Sequence, residues 1–161
     1  MRTLLLLAVL LLPVRAAEGS DDAWKALLSL AGVWEGSYEG TKSTITYTVV
    51  SGGHAIVESM KMPAPQPDMV TVYHRDHADL VATHYCSMGN QPRMRAIGAN
   101  STAKSIPFRF IDITNLAKPG GGHIKDLTVV LKDDTHLDQQ WTSVENGKEQ
   151  TMTFHWVRKS K

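Results

Sequence analysis

The chain of 161 residues has one cysteine, Cys86. An internal disulfide is therefore excluded, and stability has to come from core packing and sheet closure. There is no excess of charge. Arg2 and Arg15 are two of the 17 basic residues, and all 16 acidic residues lie after them. Past Arg15 the chain thus has one more acid than base, which argues against a nucleic-acid surface. Long apolar runs are absent after the first residues, and no second stretch suits a membrane span. Internal repeats, low-complexity tracts, a Gly-x-Ser-x-Gly elbow and a His-x-x-x-His pair are also missing.

What is present begins with Met1-Arg2, an apolar run from Leu4 to Leu12, and Pro13-Val14-Arg15-Ala16. The run is too short to span a bilayer, and small residues follow it. It reads as a secretory signal peptide over 1–16, which predicts export to a periplasmic or extracellular location. Residues 17–161 then form one domain. Asp21 or Asp22 can cap a short helix, because Trp24, Leu27 and Leu28 recur on one side. Gly32 stops it.

Ten extended segments follow, predicted at 33–41, 43–51, 54–62, 69–76, 79–87, 91–99, 107–113, 123–132, 135–144 and 148–158. β-Branched and aromatic runs mark them, as in Thr44-Ile45-Thr46-Tyr47-Thr48-Val49-Val50, and turn residues separate them. Asn146-Gly147 favours a type I′ hairpin. Ten meandering strands with one helix predict an all-β, up-and-down antiparallel barrel, since closure removes unprotected sheet edges. A barrel of this size can enclose a small ligand.

Gly32-Val33-Trp34-Glu35-Gly36 opens the first strand. An indole at this position can plug one barrel end. Arg158, on the last strand, must come near it when the ring closes, and a guanidinium stacks well on an indole. Here the sequence resembles the lipocalin/calycin superfamily. Its first strand has a Gly-x-Trp motif, and a basic C-terminal residue meets that tryptophan. The resemblance implies structural roles for Gly32, Trp34 and Arg158.

The richest segment is Thr83-His84-Tyr85-Cys86-Ser87-Met88-Gly89-Asn90-Gln91-Pro92-Arg93-Met94. With Met88-Gly89-Asn90 as the turn, His84 and Cys86 share one face and Gln91 and Arg93 share a face on the partner strand. If those faces coincide and point inward, they form a polar patch for an anionic or carbonyl-bearing ligand. The alternative has Tyr85 in the core and His84 outside. The stretch from Met69-Val70-Thr71-Val72-Tyr73-His74 to Arg93 also resembles a group of exported bacterial proteins of unknown function. That resemblance implies a lipocalin-like barrel and no particular activity.

Among the seven histidines, His74, His84 and His123 lie on separate strands, so zinc stays a minor alternative, and no metal site is assigned. Haem is the sharper one. The resemblance to nitrobindin-type barrels implies a C-terminal histidine ligand, for which His155 is the positional candidate. Alternation on the last strand, however, sets Met152, Phe154 and Trp156 on the apolar face and His155 on the other. Trp141 shares a face with Leu137 and Gln139. The expectation is therefore a barrel binding a small, partly apolar molecule, with Tyr73, His84, Cys86, Gln91, Arg93 and Trp141 as the polar lining. A small enzyme using His84 as acid/base or Cys86 as nucleophile is the other reading.

Overall fold

The computed structural model describes residues 16–160. The signal-peptide reading of 1–16 thus falls outside the described residues, apart from Ala16. The chain folds as one helix, α1 (Ala16–Ser29), and ten strands. These are β1 (Gly32–Tyr38), β2 (Thr41–Val50), β3 (Ala55–Lys61), β4 (Met69–Asp76), β5 (Asp79–Tyr85), β6 (Gln91–Ala96), β7 (Ser105–Thr114), β8 (His123–Leu131), β9 (His136–Glu145) and β10 (Lys148–Ser160). Each strand pairs antiparallel with its neighbour in sequence, and β1 pairs with β10, so the sheet is a closed barrel. The expected all-β, up-and-down architecture is present.

Alternation decides which side chains fill the interior. On β5, Leu80, Ala82 and His84 are buried, while Tyr85 points out and is exposed. On β9, Leu137, Gln139 and Trp141 point inward. On β10, Phe154 and Trp156 are buried and His155 is exposed. Strand side chains alternate with period two, so one inward residue fixes the rest of its strand.

The helix starts five residues before Asp21, so the predicted caps lie inside it. Ala16, Ala17 and Glu18 are good helix formers and carry the helix back past the acidic pair. Asp21 pairs instead with Arg75 at 2.6 Å, tying the helix to β4. Ala23, Trp24, Ala26, Leu27 and Leu30 form its buried face. Each large side chain of this face contributes on the order of 2 kcal/mol when removed from water. The helix packs on the Gly98–Asn100 turn and on β5, which plugs the barrel end where β1 begins.

Arg158 locks that end. Its guanidinium lies 4.0 Å over the Trp34 ring. Its three nitrogens donate to backbone carbonyls: Nη1 to Ala31 and Nη2 to Ser29, both at 2.9 Å, and Nε to Asp134 at 2.7 Å. Ser29 and Ala31 sit at the helix C-terminus, where carbonyls lack intrahelical partners. Trp34 Nε1 donates to Leu30 O at 2.8 Å, so the indole holds the same segment from the other side. Gly32 makes the bend between them with φ at 123°. Gly36 admits the next indole: a Cβ there would sit 2.6 Å from Trp156 Cε3 and from His155 O.

Arg158→Met removes the stacked cation and leaves the Ser29 and Ala31 carbonyls without this donor. The expected loss is about 2 kcal/mol in urea-induced unfolding. Arg158→Lys should recover less than half of it, because an ammonium cannot reach three carbonyls in one plane.

Candidate functional site

The barrel has two unlike ends. The helix covers one. At the other, where β1, β3, β5 and β9 finish, a cavity of about 190 Å³ opens among the strand ends and the segments after β3 and β5. Tyr38, Phe154, Trp141 and Ile124 form part of its wall. Met60, Met62, Met69, Met88 and Met152 add thioethers, and His84, Cys86, Ser87, Ser143, Gln66 and Gln150 add polar atoms. Tyr38 and Phe154 stack with centroids 5.9 Å apart, and Phe154 continues the stack onto Trp156 at 5.7 Å.

His84 stands at the inner side of this cavity. Its ring is buried, 4.7 Å from the Trp141 ring, and its Nδ1 is 2.9 Å from Thr71 Oγ1. Burial makes the imidazolium costly and pushes its pKa down to about 4. His84 is thus neutral at physiological pH. Cys86 begins the turn after β5: its N–H donates to Asn90 O at 3.1 Å, and Gly89 N–H donates back to Cys86 O at 2.9 Å.

That turn explains where the predicted patch divides. It encloses three residues, Ser87, Met88 and Gly89. Across it, even positions face even and odd face odd: Ala82 opposes Met94, and Thr83 opposes Arg93. Opposed residues share a face in an antiparallel pair. His84 therefore shares its face with Pro92 and Met94, which are buried, and Gln91, Arg93 and Arg95 lie on the outside. Arg93 forms a bidentate ion pair with Asp112 on β7. Gln91 Oε1 accepts from Thr114 Oγ1 at 2.8 Å. The two residues expected to face His84 thus point outward.

Tyr73 points inward but does not line the cavity. Its hydroxyl donates to Glu58 Oε2 at 2.7 Å, beneath the cavity floor. Glu58 is the functional group that sequence reasoning passed over. Gln139 Nε2 donates to Glu58 Oε2 and to Tyr47 Oη, both at 2.8 Å. Gln139 Oε1 accepts from Trp156 Nε1 at 3.1 Å and from Trp141 Nε1 at 3.4 Å. Both donors and both acceptor positions of this fully buried amide are used. Burial raises the Glu58 pKa, against the hydrogen bonds from Tyr73, Tyr47 and Gln139. The signal was in β3, where Glu58 shares the alternation of Ile56 and Met60.

His155 stands on the outer wall, its Nδ1 2.8 Å from Asp138 Oδ1, and not in the cavity. Among the described residues, no three His, Cys, Asp or Glu side chains converge as a metal site.

Glu58 and His84 pull stability in opposite directions with pH. A raised Glu58 pKa favours the folded state below the ordinary carboxyl value, and that contribution is lost as pH rises through the raised value. A lowered His84 pKa gives a contribution that is full above pH 6.5 and is lost as pH falls toward 4. Hydrogen-bonded ion pairs with Arg93 and with Lys159 and Lys42 hold Asp112 and Glu35 below their ordinary values. Glu58→Gln should unmask the histidine term, a fall of about 3 kcal/mol from pH 6.5 to 4. His84→Gln should leave stability falling as pH rises above 4.5. Urea unfolding at half-unit pH steps reads both slopes.

Neither a protein-family model nor a curated protein matches this chain.

Proposed function

We propose that the protein is a binding barrel for a small, mostly apolar, uncharged molecule, received at the open end. The observation that carries this reading is the cavity wall. It has aromatic and thioether surface on most sides and a few polar atoms, from His84, Cys86, Ser87, Ser143, Gln66 and Gln150. Apolar walls supply affinity and a few polar atoms set orientation in sites of this kind. The wall contains no Lys, Arg, Asp or Glu, and Arg93 is outside it. An anionic group finds no counter-charge there, so the ligand's polar group is neutral. At about 190 Å³ the cavity suits a short chain or one small ring. Membership of the exported bacterial group and a periplasmic or extracellular location belong to the same proposal.

The test pairs ligands that differ only in charge. At pH 7, hexanol should bind the purified protein in calorimetric titration, and hexanoate should bind at least tenfold more weakly. Ser143→Trp places an indole in the cavity and should abolish hexanol binding without lowering the melting temperature. Equal binding of hexanoate, or unchanged binding in Ser143→Trp, would overturn the reading. Native mass spectrometry of freshly purified protein is expected to show a retained organic adduct.

A further inference from the structure

Five of the seven methionines lie on the cavity wall, against a single branched aliphatic, Ile124. A wall selected only for shape would use branched aliphatics, whose rotamers are better defined. The sulfurs are also ordered by the sheet. Met60 on β3 directly opposes Met69 on β4. The β4–β5 register ends at Val70 opposite Tyr85; Met69 and Cys86 are the next residues on the two segments, and both line the cavity. Neighbouring strands are about 4.8 Å apart, so Met60 and Met69 on adjacent strands and Cys86 just past the end of β5 make a row of three sulfur side chains on the cavity wall. Two residues back from Cys86, His84 lines the same cavity. In the tautomer whose Nδ1–H donates to Thr71 Oγ1, its Nε2 keeps a free lone pair.

We propose that this sulfur row and His84 form a binding site for a soft monovalent metal ion, copper(I). The ligands are the thioethers of Met60 and Met69, the thiolate of Cys86 and Nε2 of His84. Thioether and thiolate donors select copper(I) over harder ions. The absence of carboxylates from the wall leaves calcium, magnesium and manganese without their preferred oxygens. Charge also favours a monovalent ion. One Cu⁺ with one thiolate is neutral, which suits a low-dielectric cavity far better than a residual charge. On binding, the Cys86 S–H bond breaks, an S–Cu bond forms and the proton leaves to solvent. No electron is transferred. The neutral imidazole binds without giving up a proton. Met88, half-exposed at the rim, is placed to shield the ion from water. This proposal does not require an organic ligand and stands if that reading fails.

The experiment is an anaerobic titration of the purified chain with Cu(I) against the chelator bicinchoninate. The expected result is one ion per chain, with X-ray absorption showing a sulfur-dominated shell and one imidazole. Cys86→Ser and the double variant Met60→Leu/Met69→Leu should each weaken binding roughly tenfold or more. Met94→Leu, a buried methionine outside the cavity, should leave it unchanged. Hexanol titration of the copper-free unmodified protein separates the two proposals: copper uptake without hexanol binding overturns only the organic-ligand reading, and hexanol binding without copper uptake overturns only the copper site. No stoichiometric Cu(I) uptake overturns the copper site, as does uptake indifferent to both variants. A shell of nitrogen and oxygen in the unmodified protein overturns it whether or not the variants fold.

Discussion

Everything in this molecule depends on the first strand meeting the last. With no disulfide, the ring of ten strands is held shut at one seam, where Trp34 opposes Arg158 and Glu35 opposes Val157. The pairing there slips between Val33 and Trp34, so the backbone ladder alone is a weak clasp. Side chains compensate. Arg158 spans the seam, the helix end and the turn before β9 in one planar group. Lys159 adds an ion pair to Glu35 at 2.7 Å. An open sheet would present two unpaired edges; the closed one presents none.

Inside, a second constraint fixes the barrel's cross-section. Gln139 on β9 binds Tyr47 on β2, Glu58 on β3 and the two indoles on β9 and β10. Strands from opposite sides of the ring are thereby joined through one amide. A buried network of this type adds little net stability but penalises any arrangement that leaves a member unpaired. It also forms a floor. The space below is filled by Tyr73, Phe108, Leu80 and Ile106 up to the helix, and the space above stays open. The cavity is the part of the barrel that the polar layer leaves unfilled.

Much of the fold was legible because its signals are local. Period-two alternation and turn residues place every strand, and ring topology brings Trp34 to Arg158. The candidate site was harder. Its composition depends on turn parity: a three-residue turn, whether Ser87-Met88-Gly89 or the expected Met88-Gly89-Asn90, opposes His84 to an even-numbered residue, and Arg93 would join it only across an even-numbered turn. The three-residue turn sends Arg93 to Asp112 and leaves His84 with Pro92. Glu58 was missed for another reason. An acid on a strand reads as solvent-facing, and its acceptance inside rests on Tyr47, Tyr73 and Gln139, which are distant in sequence. The helix began early because no unique cap marks its first turn.

The unlike ends of the barrel have a kinetic consequence. With the helix side sealed by Trp24, Leu27 and Leu30, anything held in the hollow must leave through the same doorway it entered. That doorway is framed by Met62, Met88 and Met152, unbranched side chains that change rotamer without moving backbone. Residence time is then governed by side-chain rearrangement at the rim, and the ten-strand wall can stay rigid while its guest exchanges.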